Sequence, residues 1–324
     1  KGRRETNTMP QWAGSCWYFL RFIDPLNDSE PWSKEKEKYW MPVDLYVGGV
    51  EHAVLHLLYS RFWHHVLYDL GYVSTKEPFQ KLFNQGMIQG EDGQKMSKSR
   101  GNVINPDDVV KEYGADSFRL YEMFMGPLDK SKPWNTKGLQ GCYRFLSKVW
   151  RLFHENTENI KVDCSTKKTK MLLHQTIKKI TEDIEGLRFN TSVSQLMIFT
   201  NHLVSLENLD YETLHVFLQL LNPFAPHITE EINQTILKNA NAPLSSIKWP
   251  SHDESLIKSE SYTLAVQFNG KMRGTIEIEA NLDESQIIEL ITNDTKLKAY
   301  FNNVIVIKRI HIPNKLINFV LKPS

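Results

Sequence analysis

Two lysines in a glycine-flanked segment are the residues of this sequence best suited to chemistry. The segment reads Lys95-Met96-Ser97-Lys98-Ser99, with Gly90 and Gly93 before it and Gly101 after it. Two ammonium groups at this spacing can close on a polyphosphate, and the glycines let the loop open again. They would stabilise the negative charge of a departing pyrophosphate when a carboxylate attacks a nucleoside triphosphate. The alternative is an ordinary solvated basic loop.

A second group of residues could hold a nucleoside. Gly48 and Gly49 precede a carboxylate and an imidazole, Glu51 and His52, at a predicted helix start. Glycines let a ligand lie against the backbone, and a helix N-terminus points free N–H groups at it. Glu51 can accept hydrogen bonds from ribose hydroxyls, or it can simply be a first-turn carboxylate that favours the helix dipole.

The two histidines at His52 and His56 have the spacing of a metal pair on a helix. A zinc protease motif would need a glutamate directly after the first histidine, where this chain has Ala53. Because no third ligand stands nearby in the sequence, no metal site is predicted.

The elements that must position these groups are a strand at Asp44–Val47, a helix at about Glu51–Leu70 and a strand at Lys81–Gln89. This order predicts a parallel α/β sheet with ligands at the carboxyl ends of its strands. The lysine loop would follow the second strand, and a short helix after Asn105 has Pro106 at its first position.

The remainder of the chain changes character. Amphipathic patterns at Leu139–His154, Thr169–Ile184, Ser192–Leu206 and Tyr211–Leu221 predict an antiparallel helical bundle. A hairpin around Asn269-Gly270, helices at Asp283–Thr292 and Thr295–Phe301, and strands at Val304–Ile312 and Leu316–Leu321 predict a small α+β domain. The predicted domains are 1–134, 135–240 and 262–324, with a linker at 241–261.

Composition narrows the class of protein. With 324 residues the chain is too long for one core, and its formal net charge of +1 gives no global attraction to nucleic acid. Its 3 cysteines form no CxxC pair, which fits a reducing cytoplasm. No apolar run is long enough for a membrane helix, so no membrane partner is predicted. The chain opens without Met and is expected to be part of a longer protein.

The lysine segment resembles the signature loop of class I aminoacyl-tRNA synthetases. Residues 46–62, which read YVGGVEHAVLHLLYSRF, look like the corresponding segment of the leucyl-tRNA synthetases. Residues 6–21 resemble the stretch where the bacterial-type chain re-enters its catalytic domain after the editing insertion. The aromatic residues of this stretch are expected to serve the core more than a ligand. The resemblance implies the C-terminal half of a Rossmann-type catalytic domain with a stem-contact region, an anticodon-binding-type bundle and a small α+β tail.

The resemblance also implies roles. ATP, with its Mg²⁺ and no dedicated metal site, would be held by Lys95, Lys98, Gly48, Gly49, Glu51 and His52, and by the backbone near Met87. His56 and Tyr18 would line the leucine pocket. The partners would be leucine and tRNA(Leu), and the full-length enzyme would be a cytoplasmic monomer.

Contacts with the tRNA backbone are predicted in the last domain. Lys271, Arg273, Lys308 and Arg309 are expected to meet tRNA phosphates, although an ordinary solvated surface would explain the same charges.

The sequence has no His-Ile-Gly-His-type motif and no editing domain, so the chain by itself is expected to be inactive, with exposed apolar surface on its first domain. The competing hypothesis is a naturally truncated, non-catalytic tRNA-binding protein. A nucleotidyltransferase sharing the lysine loop is disfavoured by the bundle and the tail.

Overall fold

Three separate hydrophobic cores organise the chain. The computed structural model describes residues 2–3, 6, 12–239, 242–257, 261–279, 282–313 and 315–323. The first core is small and built around Phe19, Leu20 and Trp32. The second lies within the helical part of the chain, and the third belongs to the C-terminal sheet. Residues 7–11, which belong to the stretch 6–21 that resembles the bacterial-type synthetases, lie outside the described part of the chain.

The first core gathers short helices and a two-stranded parallel sheet. A 3₁₀ turn at Gly14–Cys16 leads into α1 (Tyr18–Arg21), α2 (Lys34–Trp40), β1 (Tyr46–Val47), α3 (His56–Asp69) and β2 (Leu82–Phe83). Strand β1 pairs with β2 in parallel, with Tyr46 opposite Leu82. The predicted strand–helix–strand order and parallel pairing are therefore confirmed, although each strand has only two residues.

Two boundaries in this region differ from the prediction. The helix predicted from Glu51 begins at His56, because Val50–His52 forms a 3₁₀ turn and Leu55 leaves helical geometry at φ −117° and ψ −106°. The single strand predicted at Lys81–Gln89 is two strands. Gly86 N donates to Leu128 O, so the chain turns away from β1 after β2. It then forms β3 (Ile88–Gln89), which pairs in parallel with β4 (Lys132–Pro133).

Helix α3 turns its polar side inward. His56, Ser60 and His64 are buried, whereas apolar side chains on the other side are exposed to solvent, among them Phe62 at 65% and Leu58 at 59%. Aromatic and aliphatic residues elsewhere in the first 82 residues are exposed as well, including Phe22 and Trp40. The expected exposed apolar surface is confirmed.

The second core joins two short helices to the bundle. Helices α4 (Pro106–Tyr113) and α5 (Ala115–Phe124) follow the lysine loop, and Asn105 caps α4 with Pro106 at its first position. The bundle contains α6 (Thr136–His154), α7 (Lys167–Glu185), α8 (Phe189–Val204), α9 (Tyr211–Leu221) and α10 (Pro226–Thr235). Strands β5 (Ile160–Lys161) and β6 (Leu209–Asp210) pair beside it. The four predicted bundle helices are confirmed within about a turn at each end.

Asp116 ties α5 to α10. Its carboxylate is almost wholly buried and accepts hydrogen bonds from Ile228 N at 2.7 Å, His227 N at 3.3 Å and His227 Nδ1 at 2.7 Å. A carboxylate there satisfies the free N–H groups of the α10 N-terminus.

The predicted linker is partly packed onto the bundle. Leu244 is buried in the second core, and Trp249 donates through Nε1 to Thr181 Oγ1 at 2.9 Å. Helix α11 (Glu254–Ile257) contacts α7, where Lys178 pairs with Glu254. Residues 240–241 and 258–260 lie outside the described residues.

The C-terminal region is a four-stranded sheet with its own core. Strands β7 (Ser261–Phe268) and β8 (Lys271–Glu279) form the predicted hairpin, followed by helix α12 (Glu284–Asn293), a 3₁₀ turn at Lys298–Phe301, β9 (Val304–Ile312) and β10 (Leu316–Pro323). The strand order is β8-β7-β10-β9. Asn269 and Gly270 turn the hairpin at φ 52° and 76°, the left-handed geometry of a type I′ turn. The second predicted helix of this domain is only the 3₁₀ turn.

Candidate active site

A glycine-floored shelf lies at the carboxyl ends of β1 and β2. Gly48 and Gly49 follow β1 directly, and Gly48 N donates to Phe83 O at 3.2 Å. With its amide oriented to suit its neighbours, Gln85 donates to Gly48 O at 2.9 Å and accepts from Gly49 N at 3.3 Å. The shelf is thereby fixed to the segment that follows β2.

The Glu51 and His52 side chains border this shelf, and each has polar atoms that form no hydrogen bond with a described residue. A Cβ on Gly49 would overlap the Glu51 carboxylate, so that carboxylate folds back over the glycine. Glu51 is exposed and takes no hydrogen bond or ion pair from the described part of the chain. His52 Nδ1 is buried and has no hydrogen-bond partner there either, and the ring meets Trp12 edge-on at 5.9 Å. A buried polar atom usually has a partner, so His52 Nδ1 is open to a ligand, and the exposed Glu51 carboxylate is accessible to one.

Met87 lies just past the shelf. Its N–H donates to Ser131 Oγ at 3.1 Å and its carbonyl accepts from Lys132 N at 3.0 Å. Both backbone groups therefore have protein partners here. A base that used the N–H would take the place of the Ser131 hydroxyl, whose side chain can rotate. At Gly86 a Cβ would overlap the Lys130 backbone, so this position requires glycine.

A chain of hydrogen bonds links Tyr18 to His56 through Tyr46 and continues to Ser15, and the sequence singled out neither Tyr46 nor Ser15. Tyr18 and Tyr46 hydroxyls are 2.6 Å apart, Tyr46 Oη is 2.5 Å from His56 Nε2, and His56 Nδ1 is 3.1 Å from Ser15 Oγ. Ser15 Oγ donates to Trp12 O at 2.7 Å, so it accepts from His56 Nδ1–H. His56 Nε2 then accepts from Tyr46, and Tyr46 accepts from Tyr18.

This chain requires a neutral His56. Burial, with the nearby His52 charge second, lowers the pKa of His56, and burial raises the pKa of Tyr46. The hydroxyls and imidazole nitrogens of the cluster thus bond mainly to one another, and the rings of Tyr18, Tyr46 and His56 form its remaining surface. Tyr46 lies in residues 46–62 and Ser15 in residues 6–21, the two segments that resemble the leucyl-tRNA synthetases. Their positions in the sequence do not indicate that they lie close together.

The lysine loop follows β3. Gln89 pairs with Lys95, and a 3₁₀ turn covers Lys98–Arg100 before Gly101 at φ 67°. Met96 packs against the second core, which turns the flanking lysines outward. Lys95 and Lys98 are exposed, and neither forms an ion pair with any residue the structure describes. Ser97 and Ser99 share a hydrogen bond between their hydroxyls at 3.2 Å.

The four basic residues predicted to meet tRNA are exposed but do not form one cluster. Lys271 and Arg273 lie on β8, whereas Lys308 and Arg309 lie on β9, and these are the opposite edge strands of the sheet. Arg273 also stacks over the Tyr300 ring, with its guanidinium carbon 5.5 Å from the centroid. The edges are separated by about 14 Å at ordinary strand spacing.

Two other features are absent from the described part of the chain. No group of three or more His, Cys, Asp or Glu side chains there is placed to hold a metal ion. No helix there has both the length and the apolar character to cross a membrane.

Comparison with known proteins finds one consistent family. Residues 3–131 match the family of class I tRNA synthetases for I, L, M and V, and residues 170–288 match the anticodon-binding domain of tRNA ligase. Leucine–tRNA ligases from Chlorobaculum parvum and Prosthecochloris aestuarii are 55% and 53% identical over 100% and 99% of this chain. The chain spans 40% of the length of each of these relatives.

A solved structure agrees with these relatives. The LeuRS chain in the crystal structure of the ternary complex of Agrobacterium radiobacter K84 agnB2 LeuRS with tRNA and LeuAMS superimposes with a TM-score of 0.80. The two are 34% identical, and the match covers 98% of this chain and 43% of that one.

Proposed function

Because the chain belongs to the leucine–tRNA ligase family of class I tRNA synthetases, we propose that it supplies the lysine loop and part of the adenosine and leucine sites of such an enzyme. The whole enzyme would convert ATP, leucine and tRNA(Leu) into leucyl-tRNA, AMP and diphosphate. The observation that carries the proposal is a glycine shelf bordered by the exposed Glu51 carboxylate and by His52 Nδ1, which has no hydrogen-bond partner among the described residues. The same chain carries Lys95 and Lys98 in a glycine-flanked loop, and neither forms an ion pair with a described residue.

The shelf is proposed to hold the adenosine. A ribose lying on Gly48 and Gly49 would donate its hydroxyls to the Glu51 carboxylate. His52 Nδ1, which lacks a partner among the described residues, would complete the same contact surface. Met87 would meet the base edge, with Ser131 giving up its hydrogen bond to the Met87 N–H.

The tyrosine–histidine cluster is proposed to line the leucine side. Its hydroxyls and imidazole bond to one another and leave ring surface at the margin, which suits an aliphatic side chain. A protonated His56 would break the donor chain, so the lowered pKa of His56 supports this role. Tyr18 is 39% exposed, which leaves it accessible to a ligand.

The lysines are proposed to act on the phosphates. In the first step a leucine carboxylate oxygen forms a bond to the α-phosphorus of ATP, and the bond from that phosphorus to the bridging oxygen of pyrophosphate breaks. Lys95 and Lys98 would neutralise charge on the leaving pyrophosphate, which is greater in the transition state than in bound ATP. The terminal hydroxyl of tRNA would then take the leucyl group from the adenylate and release AMP. Mg²⁺ would enter with the nucleotide.

The helical bundle and the C-terminal sheet are proposed to hold tRNA(Leu). The family name of residues 170–288 supports the bundle in this role. Lys271 with Arg273, and Lys308 with Arg309, would meet phosphates at two separate places, because they lie on opposite edges of the sheet. Such contacts position an RNA without reading its sequence.

The test is leucine-dependent ATP–pyrophosphate exchange by the full-length protein. The double change of Lys95→Ala and Lys98→Ala should lower kcat by about 100-fold or more, since one lost stabilising group costs about that much. Lys76→Ala, which removes an exposed lysine away from the loop, is the matched control and should leave kcat unchanged. The proposal fails if the double variant stays within about threefold of the unaltered protein while both remain folded.

A further inference from the structure

One side chain ties together three parts of the lysine loop. Asn102 stands after the loop, yet its Nδ2 donates to Asp92 Oδ1 and Oδ2, each at 3.1 Å, before the loop. The same Nδ2 approaches Lys95 O at 3.4 Å, and Asn102 Oδ1 accepts from Ser97 N at 2.9 Å. A side chain that meets both ends and the middle of a loop closes that loop at its base.

Asp92 is shaped for this contact. Gly90 N donates to Gln94 O at 2.9 Å, Gly93 N donates to Gly90 O at 2.9 Å, and Gly93 stands at φ 70°, so a tight turn presents Asp92. The backbone N–H of Gln94 and the Asn102 amide lower the pKa of Asp92, so its carboxylate is ionised. Each Asn102–Asp92 hydrogen bond therefore has a charged acceptor, which strengthens it.

The hydrogen-bonded pair of Asn102 and Asp92, which forms a brace across the loop, has little room to shift. A Cβ added at Gly90 would stand 2.7 Å from Asp92 Oδ1 and 2.9 Å from Asn102 Nδ2. On the outer side Arg100 Nη1 donates to Gln94 Oε1 at 3.3 Å, a second link between the two ends of the loop. Residues 92–102 are thus held as one body, from which the ammonium groups of the two lysines project.

We propose that Asn102, acting through Asp92, is a positioning residue that keeps the lysine loop rigid so that Lys95 and Lys98 reach the phosphates together. Asn102 touches no reacting atom in this role. Without the brace the two ammonium groups would move independently, and their placement in the transition state would cost entropy. The catalytic part of this inference rests on the proposed function, whereas the rigidity of the loop does not.

Exchanging the two side chains gives a sharp test. Asn102→Asp sets a second carboxylate against Asp92 and should break the brace by repulsion. Asp92→Asn together with Asn102→Asp restores a donor facing an acceptor, and the carboxylate introduced at position 102 can still accept from Ser97 N. Asn302→Asp, at an exposed position in the C-terminal region, is the matched control for adding one negative charge.

Two measurements are made on the full-length protein. The first is the rate of limited tryptic cleavage after Lys95, Lys98 and Arg100, identified by mass spectrometry, because none of the changes creates or removes a trypsin site. The second is kcat and leucine KM in pyrophosphate exchange. For N102D we expect about fivefold faster cleavage, as for the loss of a coupled pair. We expect kcat to fall about 100-fold at unchanged leucine KM, as for a misplaced catalytic group. The exchanged pair should return both values to within about threefold of the unaltered protein.

The outcomes separate the two proposals. If N102D is cleaved no faster than the unaltered protein, or if the exchanged pair rescues neither value, the brace is refuted. If cleavage rises while kcat holds, the loop is braced but Asn102 has no positioning role, and the inference is refuted. If the unaltered protein shows no leucine-dependent exchange, the proposed function falls, and the cleavage rates alone still decide whether the loop is braced.

Discussion

Replacing Asp116 by alanine should loosen the helical core at the junction between α5 and α10. The carboxylate is about nine-tenths buried and accepts three hydrogen bonds, two from backbone N–H groups at the start of α10 and one from the His227 ring. Alanine leaves those donors without their acceptor and also removes a negative charge from a helix N-terminus.

The size of the loss follows from these contacts. Removing a capping side chain costs about 1 kcal/mol. A buried donor left unsatisfied costs a further 1–3 kcal/mol or so. His227 is largely exposed, so its ring adds little because water replaces the lost partner. The expected loss is about 2–4 kcal/mol, or roughly 4–16 °C in the melting temperature of a unit of this size. Asp116→Asn keeps one acceptor oxygen and should lose about half as much.

Differential scanning calorimetry at neutral pH measures this loss, with Asp129→Ala as a control at an exposed carboxylate whose ion pair in the described part of the chain is with its neighbour Lys130. The reasoning is refuted if Asp116→Ala and Asp129→Ala shift the helical transition equally. A functional readout accompanies it: leucylation of tRNA should weaken more than pyrophosphate exchange, because α5 and α10 lie outside the shelf.

Three further outcomes are expected. Gly86→Ala should lower the melting temperature and raise the KM for ATP, since its Cβ would overlap the Lys130 backbone, which cannot give way; unchanged values would contradict this. Burial lowers the pKa of His64, so the unfolded chain binds the extra proton first and stability falls as the pH drops from about 7 to 5. His64→Gln should flatten that slope in urea titrations at several pH values, and an unaltered slope would rule the histidine out. Phe62→Ser should reduce binding of a hydrophobic dye to the isolated chain, because Phe62 is 65% exposed; equal fluorescence would show that the α3 face is covered.

Long periodic elements could be predicted from the sequence, because packing and period agree in them. Helix α9 and strand β9 begin and end at the predicted residues. The error at α3 has a physical cause. Its apolar period is real, but Val50–His52 forms a 3₁₀ turn and Leu55 leaves helical geometry, so the helix begins at His56 and not at Glu51. The apolar face of α3 points to solvent, and its buried side carries two histidines and a serine.

The candidate site could be predicted in part. The glycine shelf and the lysine loop could be selected as candidates from their glycines and charged residues, because these are local features of the sequence. Ser15 and Tyr46 do not, because their role depends on distances across the fold: Ser15 lies 41 positions from the histidine it meets. The strands predicted at Asp44–Val47 and Lys81–Gln89 were too long for a similar reason, β4 was not predicted, and all four strands β1 to β4 are short. Each pairs over only two residues, and where it stops is decided by contacts such as Gly86 with Leu128.

The three separate cores have a consequence for how this molecule denatures. A single midpoint would average three transitions, since apolar contact is concentrated within each core. Far-ultraviolet circular dichroism would follow mainly the helical core, where most of the helical residues lie, and would register the loss of the first core to a smaller extent. The glycine shelf follows β1 and β2 beside the smallest core, so mild heating or low urea should erase the proposed adenosine binding while most of the ellipticity persists.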